Sequence, residues 1–227
     1  MENKSVIKIF GGHLVNQQLL KNYPIMINAG VHEGQEMADL INIVPNIIIY
    51  ALEPSERCYY TALQKFNSYK NINFIKKALV SSKRKGPIQF TDFLSNGKQY
   101  NYGGLKELSE FRSNGNSYEV ETTNLKELLK NINSDIGFLK ADIEGAEYEI
   151  IMDFDENMAN KIKQIALEIQ DIPNKSYDEC KNDIINKLEG LGYEVYTHNE
   201  GDFNNNKEKE IINNTIFTTG GLYAVKY

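Results

Sequence analysis

The first residues in this chain that could do chemistry are two glycines and an acid, at spacings typical of a nucleoside site. Gly30 and Gly34 follow a short apolar run, and Glu53 lies nineteen positions beyond Gly34, at the end of a second apolar run. Glycine allows positive φ, so a ligand can lie directly against the loop. The helix predicted to begin near Glu33 points free N–H groups toward that ligand. An acid about 20 residues after the glycines reaches ribose hydroxyls, so the pattern predicts a nucleoside pocket.

The glycine spacing also separates two classes of ligand. Residues 30–34 have the pattern G-x-x-x-G, whereas a dinucleotide site uses three glycines, G-x-G-x-x-G, to cradle a pyrophosphate. A sulfonium cofactor has no pyrophosphate, so the sparser loop favours such a cofactor over a dinucleotide. Two alternatives stay open: a nicotinamide-dependent oxidoreductase, and a βαβ unit in which the glycines serve packing alone.

A second set of chemically competent residues consists of acids near the ends of two later apolar runs. The predicted strand 137–141 ends at Asp142, with Glu144 close behind, and Glu168 lies near the end of the predicted strand 162–169. The carboxyl ends of parallel strands face one crevice, and an acid inside an apolar strand is costly unless it is paired or faces a site. All three are candidate bases for a hydroxyl proton, and Asp142 with Glu168 could hold a hard divalent ion. Acids are also favoured at helix N-termini for dipole reasons alone.

The elements that must position these residues alternate between strand and helix along the chain. Residues 92–118 are rich in glycine, asparagine and aromatic residues without periodicity, which predicts a long loop, either a lid or a mobile insertion. Residues 201–210 are predicted to form a polar loop, and residues 1–22 an N-terminal lead-in in which His13 is a surface histidine. The predicted strands are 25–27, 47–52, 71–80, 88–90, 118–122, 137–141, 162–169, 193–198 and 215–226, and the predicted helices include 55–68, 124–130 and 176–188.

Length and composition fit one α/β domain of an ordinary globular protein. The chain has 227 residues, 41% of them hydrophobic and 25% charged, which is too short for two domains of usual size. The formal charge of −6 and the pI near 5.2 argue against nucleic acid as the main partner. Two cysteines, no secretory segment and no apolar run of about 20 residues predict a cytoplasmic protein without a membrane span. The oligomeric state is left open.

Several strings of residues together resemble the FkbM family of S-adenosylmethionine-dependent methyltransferases. The strings are I-N-A-G-V-H-E-G (27–34), A-L-E-P-S (51–55), N-I-N-F-I-K-K-A-L (71–79), F-L-K-A-D-I-E-G-A-E (138–147) and L-E-I (167–169). The resemblance covers about residues 25–197. It implies a single-domain class I methyltransferase fold, Rossmann-like, over residues 23–227. In that fold a mainly parallel seven-stranded sheet has an antiparallel last strand and helices on both faces.

The resemblance also implies an activity and a set of site residues. The activity is O-methyl transfer from S-adenosyl-L-methionine to a hydroxyl of a saccharide or related small molecule. Asp142, Glu144 and Glu168 are the candidate catalytic residues, and a divalent metal is possible although no dense ligand motif indicates one. The candidate cofactor-binding residues are Asn28, Gly30, His32, Gly34, Glu53, Pro54, Lys77, Ala78 and Asp142.

This sequence departs from the family at Asn28 and, less importantly, at Lys126, where an acid is usual after the predicted strand 118–122. The family usually has Asp at position 28, where it helps to hold the ammonium group of the cofactor. Asparagine can accept a hydrogen bond but lacks the charge, so weaker cofactor binding is expected. A degenerate member that binds a ligand or partner without transferring methyl is therefore a further alternative.

Overall fold

The computed structural model describes residues 6–95, 98–109, 116–198, 208–212 and 215–227. The strands, in chain order, are β1 (Val6–Lys8), β2 (Leu14–Asn16), β3 (Ile25–Ala29), β4 (Ile48–Leu52), β5 (Ile72–Ile75), β6 (Ala78–Leu79), β7 (Ile88–Ser95), β8 (Lys98–Leu105), β9 (Ser117–Val120), β10 (Thr122–Thr123), β11 (Phe138–Ala141), β12 (Gln164–Gln170), β13 (Glu194–His198), β14 (Glu208–Ile212) and β15 (Thr215–Val225). A 3₁₀ turn spans Phe10–Gly12, and the helices are α1 (Gln17–Asn22), α2 (Gln35–Ile43), α3 (Glu56–Lys65), α4 (Lys106–Ser109), α5 (Leu125–Lys130), α6 (Glu147–Met152), α7 (Glu156–Lys161) and α8 (Tyr177–Gly190).

The central sheet has the predicted architecture. Its strands run in the order β13-β15-β12-β11-β3-β4-β5. Strands β12, β11, β3, β4 and β5 pair in parallel, and β15 pairs antiparallel with both β12 and β13. Strand β14 adds to the sheet by pairing with β15. A mainly parallel sheet with an antiparallel last strand is therefore confirmed, although β14 makes it eight-stranded rather than seven-stranded.

Helices cover both faces of this sheet, as the pattern of buried residues along β3 shows. Ile25 and Ile27 belong to the hydrophobic core that also contains residues of α6 and α8. Met26 belongs to a second core, which contains residues of α2 and α3. Because side chains alternate between the two faces of a strand, a nearly continuous apolar run indicates a strand buried on both sides.

The prediction of a long loop over residues 92–118 is wrong for the residues that the structure describes there. Strands β8, β7 and β9 form a three-stranded antiparallel sheet, and α4 follows β8. The glycines of this stretch suggest a loop by composition, yet a Cβ at Gly103 would lie 2.4 Å from the carbonyl oxygen of Thr91. Gly103 therefore allows a close approach of two strands, a role that glycine also has inside sheets. Residues 110–115 lie outside the described part.

Two other predicted elements need correction. The single strand predicted over residues 71–80 is two strands, because the backbone turns between them and β6 leaves the central sheet to pair with β10. Residues 208–210 of the predicted polar loop lie in β14, where pairing with β15 holds their backbone; residues 201–207 lie outside the described part.

The N-terminal lead-in packs against the central sheet. The backbone N–H of Asn16 donates to Oε1 of Gln164 on β12, and Nε2 of Gln164 donates back to the carbonyl of Asn16. His13, predicted to lie on the surface, is instead buried, with only 3% of its surface exposed, because this docking covers it. Among the described helices, none combines the length and apolarity needed to cross a membrane.

Candidate functional site

A cleft of about 200 Å³ opens at the carboxyl ends of β3, β4, β11 and β12. Topology explains why it forms there, since parallel strands end at one edge of the sheet and the loops that follow them converge. Stretches that are far apart in the sequence therefore meet in one wall. Nine of the residues singled out from the sequence line this cleft: Gly30, His32, Glu53, Pro54, Lys77, Ala78, Asp142, Glu144 and Glu168.

Gly30 is required by close packing between the glycine loop and the end of β11. Its φ is +76°, and a Cβ at this position would lie 1.8 Å from the carbonyl oxygen of Asp142. Its N–H and that of Val31 both donate to the carbonyl of Leu52 at the end of β4, at 3.1 and 3.2 Å. The loop is thus fixed to the two neighbouring strands, and its backbone is held in one position beside the cleft.

Gly34 begins helix α2 rather than lining the cleft. It is the N-cap of α2 with φ +80°, and a Cβ there would lie 2.7 Å from Cε of Met37 and 2.7 Å from Cε2 of Phe66. Among the predicted cofactor residues, Asn28 also lies outside the cleft wall. Its side chain is fully buried, and neither Oδ1 nor Nδ2 has a hydrogen-bond partner among the residues that the structure describes.

Glu53 lies where the sequence predicts an acid for ribose. Its Oε2 accepts the backbone N–H of His32 at 2.8 Å, and its Oε1 accepts the backbone N–H of Ser55 at 2.9 Å. Burial raises the pKa of Glu53 to about 7, although these two N–H groups act in the opposite direction. Each carboxylate oxygen has two lone pairs, so acceptor capacity for a ligand hydroxyl remains.

Lys140 is a buried residue beside the cleft that the sequence pattern did not single out. It is buried in β11, its Nζ lies 2.8 Å from Oε1 of Glu36, and it donates to the carbonyl of Gly30, also at 2.8 Å. Burial disfavours its charge, but Glu36 and Asp142 more than compensate and raise the pKa of Lys140. A signal existed in the sequence, since a lysine inside the apolar run F-L-K-A needs a partner when it is buried.

Three carboxylates come together at the other end of the cleft. Asp142, Glu144 and Glu168 each present one oxygen, and these three atoms lie within 4.8 Å of one another. The Nε2 of Gln170 donates to Glu144 and to Glu168, both at 3.0 Å. Burial opposes ionisation of Asp142, but Lys140, with Nζ 3.6 Å from Oδ2, lowers the pKa of Asp142 well below its usual range.

Glu147, a fourth acid in the same string, holds the turn after β11. Its carboxylate accepts the backbone N–H groups of Ile143 and Gly145, and only 1% of its surface is exposed. Burial raises the pKa of Glu147 to about 8. It stabilises the loop that carries Glu144 into the cleft and does not itself line the wall.

The remaining wall comes from residues that sequence reasoning did not single out. Phe90 on β7 and Leu105 on β8 face each other in register, and their position depends on a strand pairing that composition did not indicate. Several other lining residues are next in sequence to a predicted site residue at the end of a strand. These additional lining residues are Gly11, Gln35, Glu36, Leu52, Leu79, Phe90, Gly103, Leu105, Ile143 and Ala146.

The strand order and the position of the cleft define a class of protein. The parallel strands, the antiparallel β15 between β12 and β13 and the glycine loop after β3 are together the class I methyltransferase fold. The chain belongs to the FkbM methyltransferase family, because the family model described as "Methyltransferase FkbM domain" matches residues 27–195. Its cofactor is S-adenosyl-L-methionine, as the sequence predicts.

Solved structures of other methyltransferases are similar to this chain at low sequence identity. The fibrillarin/Nop5p complex gives a TM-score of 0.50 at 13% identity, covering 94% of this chain and 80% of that chain. Fibrillarin from Aeropyrum pernix, with natively bound S-adenosyl-L-methionine, gives 0.49 at 14% identity, covering 92% and 73%. Precorrin-6y C5,15-methyltransferase from Geobacter metallireducens gives 0.48 at 13% identity, covering 92% and 86%. At these identities the likeness concerns the fold alone.

A search of curated proteins finds no match to this chain.

Proposed function

We propose that this chain transfers a methyl group from S-adenosyl-L-methionine to a hydroxyl of a saccharide or a related small molecule. The observation that carries the proposal is the group of three carboxylates, Asp142, Glu144 and Glu168, at the edge of the sheet beside the glycine loop. Carboxylates bind hydroxyl groups as hydrogen-bond acceptors and can take up their protons. A cluster of them next to a methyl donor suits a polyhydroxylated acceptor.

The fit of the cofactor to the cleft is supported by residues at its opposite end. Glu53 would accept the ribose hydroxyls, because both of its oxygens are fixed by backbone N–H groups and retain acceptor capacity. Lys77 and Ala78 would lie along the adenine edge. Gly30 and His32 would lie beside the methionine part of the cofactor. In the described part of the chain, Nε2 of His32 is a buried atom without a hydrogen-bond partner.

The reaction in this proposal is an in-line displacement at a methyl carbon. The cofactor supplies a methyl group on a sulfonium, a good leaving group. The acceptor oxygen attacks this carbon, the C–S bond breaks with its electron pair left on sulfur, and the hydroxyl proton passes to a carboxylate of the cleft. The products are a methyl ether, S-adenosylhomocysteine and one proton. Alignment of the reacting atoms supplies much of the rate.

The charges around the three carboxylates suggest different roles for them. Lys140 lowers the pKa of Asp142, and a carboxylate of low pKa is a weak base. Asp142 is therefore better suited to orient the acceptor or the cofactor. Glu168 and Glu144, which share the amide of Gln170, remain as candidates for the base.

Titration calorimetry with S-adenosylhomocysteine tests the cofactor site directly. The proposal expects saturable binding, and undetectable binding at millimolar ligand would overturn it. Mass spectrometry then tests transfer, with a panel of mono- and oligosaccharides and of non-sugar alcohols as acceptors. The Glu168→Gln variant should lose turnover and keep binding of S-adenosylhomocysteine, because it alters the acceptor end of the cleft alone.

A second candidate function is a family member that binds its ligand without transferring methyl. Asn28 favours it, because an uncharged amide stands where the family usually has a carboxylate. This alternative predicts weak binding of S-adenosylhomocysteine and no product from any hydroxyl acceptor. The nicotinamide-dependent oxidoreductase gains no support, since the family is a methyltransferase family; a thermal-shift response to a dinucleotide would reopen it.

We infer further that the acceptor is not a nucleic acid. Five acids line the cleft: Glu36, Glu53, Asp142, Glu144 and Glu168. The whole chain carries a formal charge of −6. Such a surface repels phosphates. Fluorescence anisotropy with a labelled single-stranded RNA at low salt should show no binding, and tight, salt-sensitive binding would contradict the inference.

A further inference from the structure

Two polar atoms of the glycine loop lack hydrogen-bond partners beside the cofactor cleft. They are Nε2 of His32 and Oε1 of Gln35, which are shielded from solvent and have no partner among the residues that the structure describes. Both residues line the cleft. Each side chain as a whole is partly exposed, so its rotation brings the shielded atom to the cleft surface. Buried polar atoms without a partner are rare and costly, so a ligand that supplies hydrogen bonds here binds favourably.

The glycine loop places both residues next to the acid for the ribose. The backbone N–H of His32 donates to Oε2 of Glu53 at 2.8 Å. The N–H of Gly34 donates to the carbonyl of Val31 at 2.9 Å, and Gln35 then begins α2. The amino-acid part of the cofactor is joined to the ribose through one carbon and the sulfur. A cofactor with its ribose on Glu53 therefore brings its amino-acid part close to these two side chains.

The amino-acid part of S-adenosyl-L-methionine carries an ammonium group and a carboxylate, and the two side chains are complementary to these groups. An amide oxygen accepts hydrogen bonds, as an ammonium group requires, and an imidazole N–H donates one to a carboxylate. The acids that flank Gln35 in the sequence are engaged with cations of the protein. Glu36 lies 2.8 Å from Nζ of Lys140, and Glu33 lies 4.0 Å from Nη1 of Arg57. The acceptor that the loop offers to an ammonium group is thus the amide oxygen.

Asn28 makes such an acceptor necessary. The family usually has Asp at this position, where it helps to hold the ammonium group of the cofactor. In this chain the side chain is an uncharged amide, fully buried and outside the cleft wall. An acceptor for the ammonium group must then come from the wall itself, and Gln35 provides one.

We propose that Gln35 and His32 bind the amino-acid end of the cofactor. Oε1 of Gln35 accepts from the ammonium group, and Nε2 of His32 donates to the carboxylate. A neutral acceptor forms a weaker hydrogen bond than a carboxylate does, so the affinity is moderate, but the site is complete without an acid at position 28. This role concerns the cofactor alone and does not depend on the acceptor.

Titration calorimetry of the full chain with three probes tests the two roles. S-adenosylhomocysteine has both charged groups, S-adenosyl-3-thiopropylamine keeps the ammonium group without the carboxylate, and 5′-methylthioadenosine has neither. Gln35→Leu should weaken binding of the first two by about tenfold or more, the loss expected for a hydrogen bond to a charged group, and leave binding of methylthioadenosine unchanged. His32→Asn should weaken binding of S-adenosylhomocysteine alone. Asparagine is chosen because the φ of His32 is +56°, a conformation that asparagine tolerates.

Gln64→Leu is the matched control, since it makes the same replacement at an exposed position of α3 and should leave all three affinities unchanged. Circular dichroism shows whether each variant folds, and Gln35→Met, which is closer in shape, replaces Gln35→Leu where the latter does not fold.

Unchanged affinity of Gln35→Leu for S-adenosylhomocysteine would overturn the proposal, as would equal losses for S-adenosylhomocysteine and methylthioadenosine. Equal affinity of the native chain for these two ligands would also overturn it, because the amino-acid end would then contribute nothing. The absence of methylated product in the acceptor screen overturns the proposed function alone, because these titrations contain no acceptor.

Discussion

The Nζ atom of Lys140 lies 2.8 Å from Oε1 of Glu36, and only 1% and 7% of the two side chains are exposed. The pair joins β11 to α2, and the same Nζ donates to the carbonyl of Gly30. One ammonium group therefore connects a central strand, the helix behind the cofactor loop and the loop itself. A buried charge without its partner is strongly destabilising, so this contact couples the stability of the fold to the shape of the cleft.

Replacing Lys140 by Met tests this coupling. The variant keeps most of the buried volume but leaves Glu36 without its cation in a buried place. We expect a loss of about 3–5 kcal/mol in the free energy of unfolding, the range found when one partner of a buried pair is removed. Urea denaturation followed by circular dichroism measures it.

The double variant Lys140→Met with Glu36→Leu is the control for this experiment. Replacement of both partners by apolar groups removes the unpaired charge, and such exchanges are often neutral for stability. Most of the lost stability should therefore return, while S-adenosylhomocysteine binding stays impaired because Gly30 loses its donor. A free energy of unfolding of Lys140→Met within about 1 kcal/mol of that of the native chain would contradict the coupling.

Gly30→Ala should abolish cofactor binding and destabilise the fold. The new Cβ would lie 1.8 Å from the carbonyl oxygen of Asp142, so the glycine loop and the end of β11 would have to move apart. The positive φ adds a strain of about 1–2 kcal/mol for a residue with a side chain. Thermal unfolding and calorimetry with S-adenosylhomocysteine measure the two effects.

The Gly86→Ala variant is the control that distinguishes backbone strain at positive φ from steric overlap with Asp142. Gly86 has nearly the same φ, +75°, but a Cβ there would have no described atom within 4 Å. The Gly86→Ala variant should lose only the stability that corresponds to the backbone strain, and its cofactor affinity should be unchanged. Equal losses of stability in the two variants would show that contact with Asp142 has no part in the requirement for Gly30.

The central sheet was largely predictable because its innermost parallel strands, β3 and β11, are buried on both faces and therefore form nearly continuous apolar runs. In the sheet of β7, β8 and β9, the predicted strands 88–90 and 118–122 are confirmed in β7 and in β9 and β10. Strand β8 and the rest of β7 were not predicted, because composition does not distinguish a glycine of a loop from one that lets two strands approach. Gly103, against the carbonyl of Thr91, is the second kind. The antiparallel pairing of this stretch depends on contacts that no local pattern encodes.

Four of the five acids that line the cleft, Glu53, Asp142, Glu144 and Glu168, were predictable for a related reason. Each lies near the end of a predicted strand or just after it, and the topology of a parallel sheet brings such positions together. His13 and Glu36 were not predictable, because each depends on contact between elements far apart in the sequence. Lys140 occupies an intermediate position: the apolar run around it indicates that it needs a partner, whereas the packing of α2 decides that the partner is Glu36.

The affinity for the cofactor should depend on pH through Glu53. Burial raises the pKa of Glu53 to about 7, and ribose hydroxyls donate best to the ionised form. Below pH 7 Glu53 is mostly protonated and must release a proton when the cofactor binds. The dissociation constant of S-adenosylhomocysteine should therefore rise by up to about tenfold for each pH unit below 7. Above pH 7 the dissociation constant should level off. Calorimetry from about pH 5.5 to about pH 8.5 measures this dependence.

Glu53→Gln is the control for the pH experiment. It cannot ionise, so its affinity should be lower at pH 8 and nearly independent of pH. The stability of the free protein should change in the opposite sense, because the pKa of Glu53 in the fold lies above the unfolded value of 4.5. This carboxyl therefore contributes stability below pH 4.5 that is lost as the pH rises toward 7. An affinity of the native chain that does not change with pH would show that Glu53 does not bind the ribose hydroxyls.

Asn28→Asp should tighten cofactor binding. Asn28 is the second-to-last residue of the buried strand β3 and is in register with Lys140 on β11, and within the described residues its amide atoms have no hydrogen-bond partner. A carboxylate there supplies the charge that the family usually directs at the cofactor's ammonium group, and a charge-assisted hydrogen bond contributes about 1.5–3 kcal/mol. The dissociation constant of S-adenosylhomocysteine should therefore fall by roughly tenfold or more. Asn28→Ala, which removes the amide without adding charge, is the companion variant and should weaken binding. Unchanged affinity in both variants would show that this side chain, which lies outside the cleft wall, does not act on the cofactor.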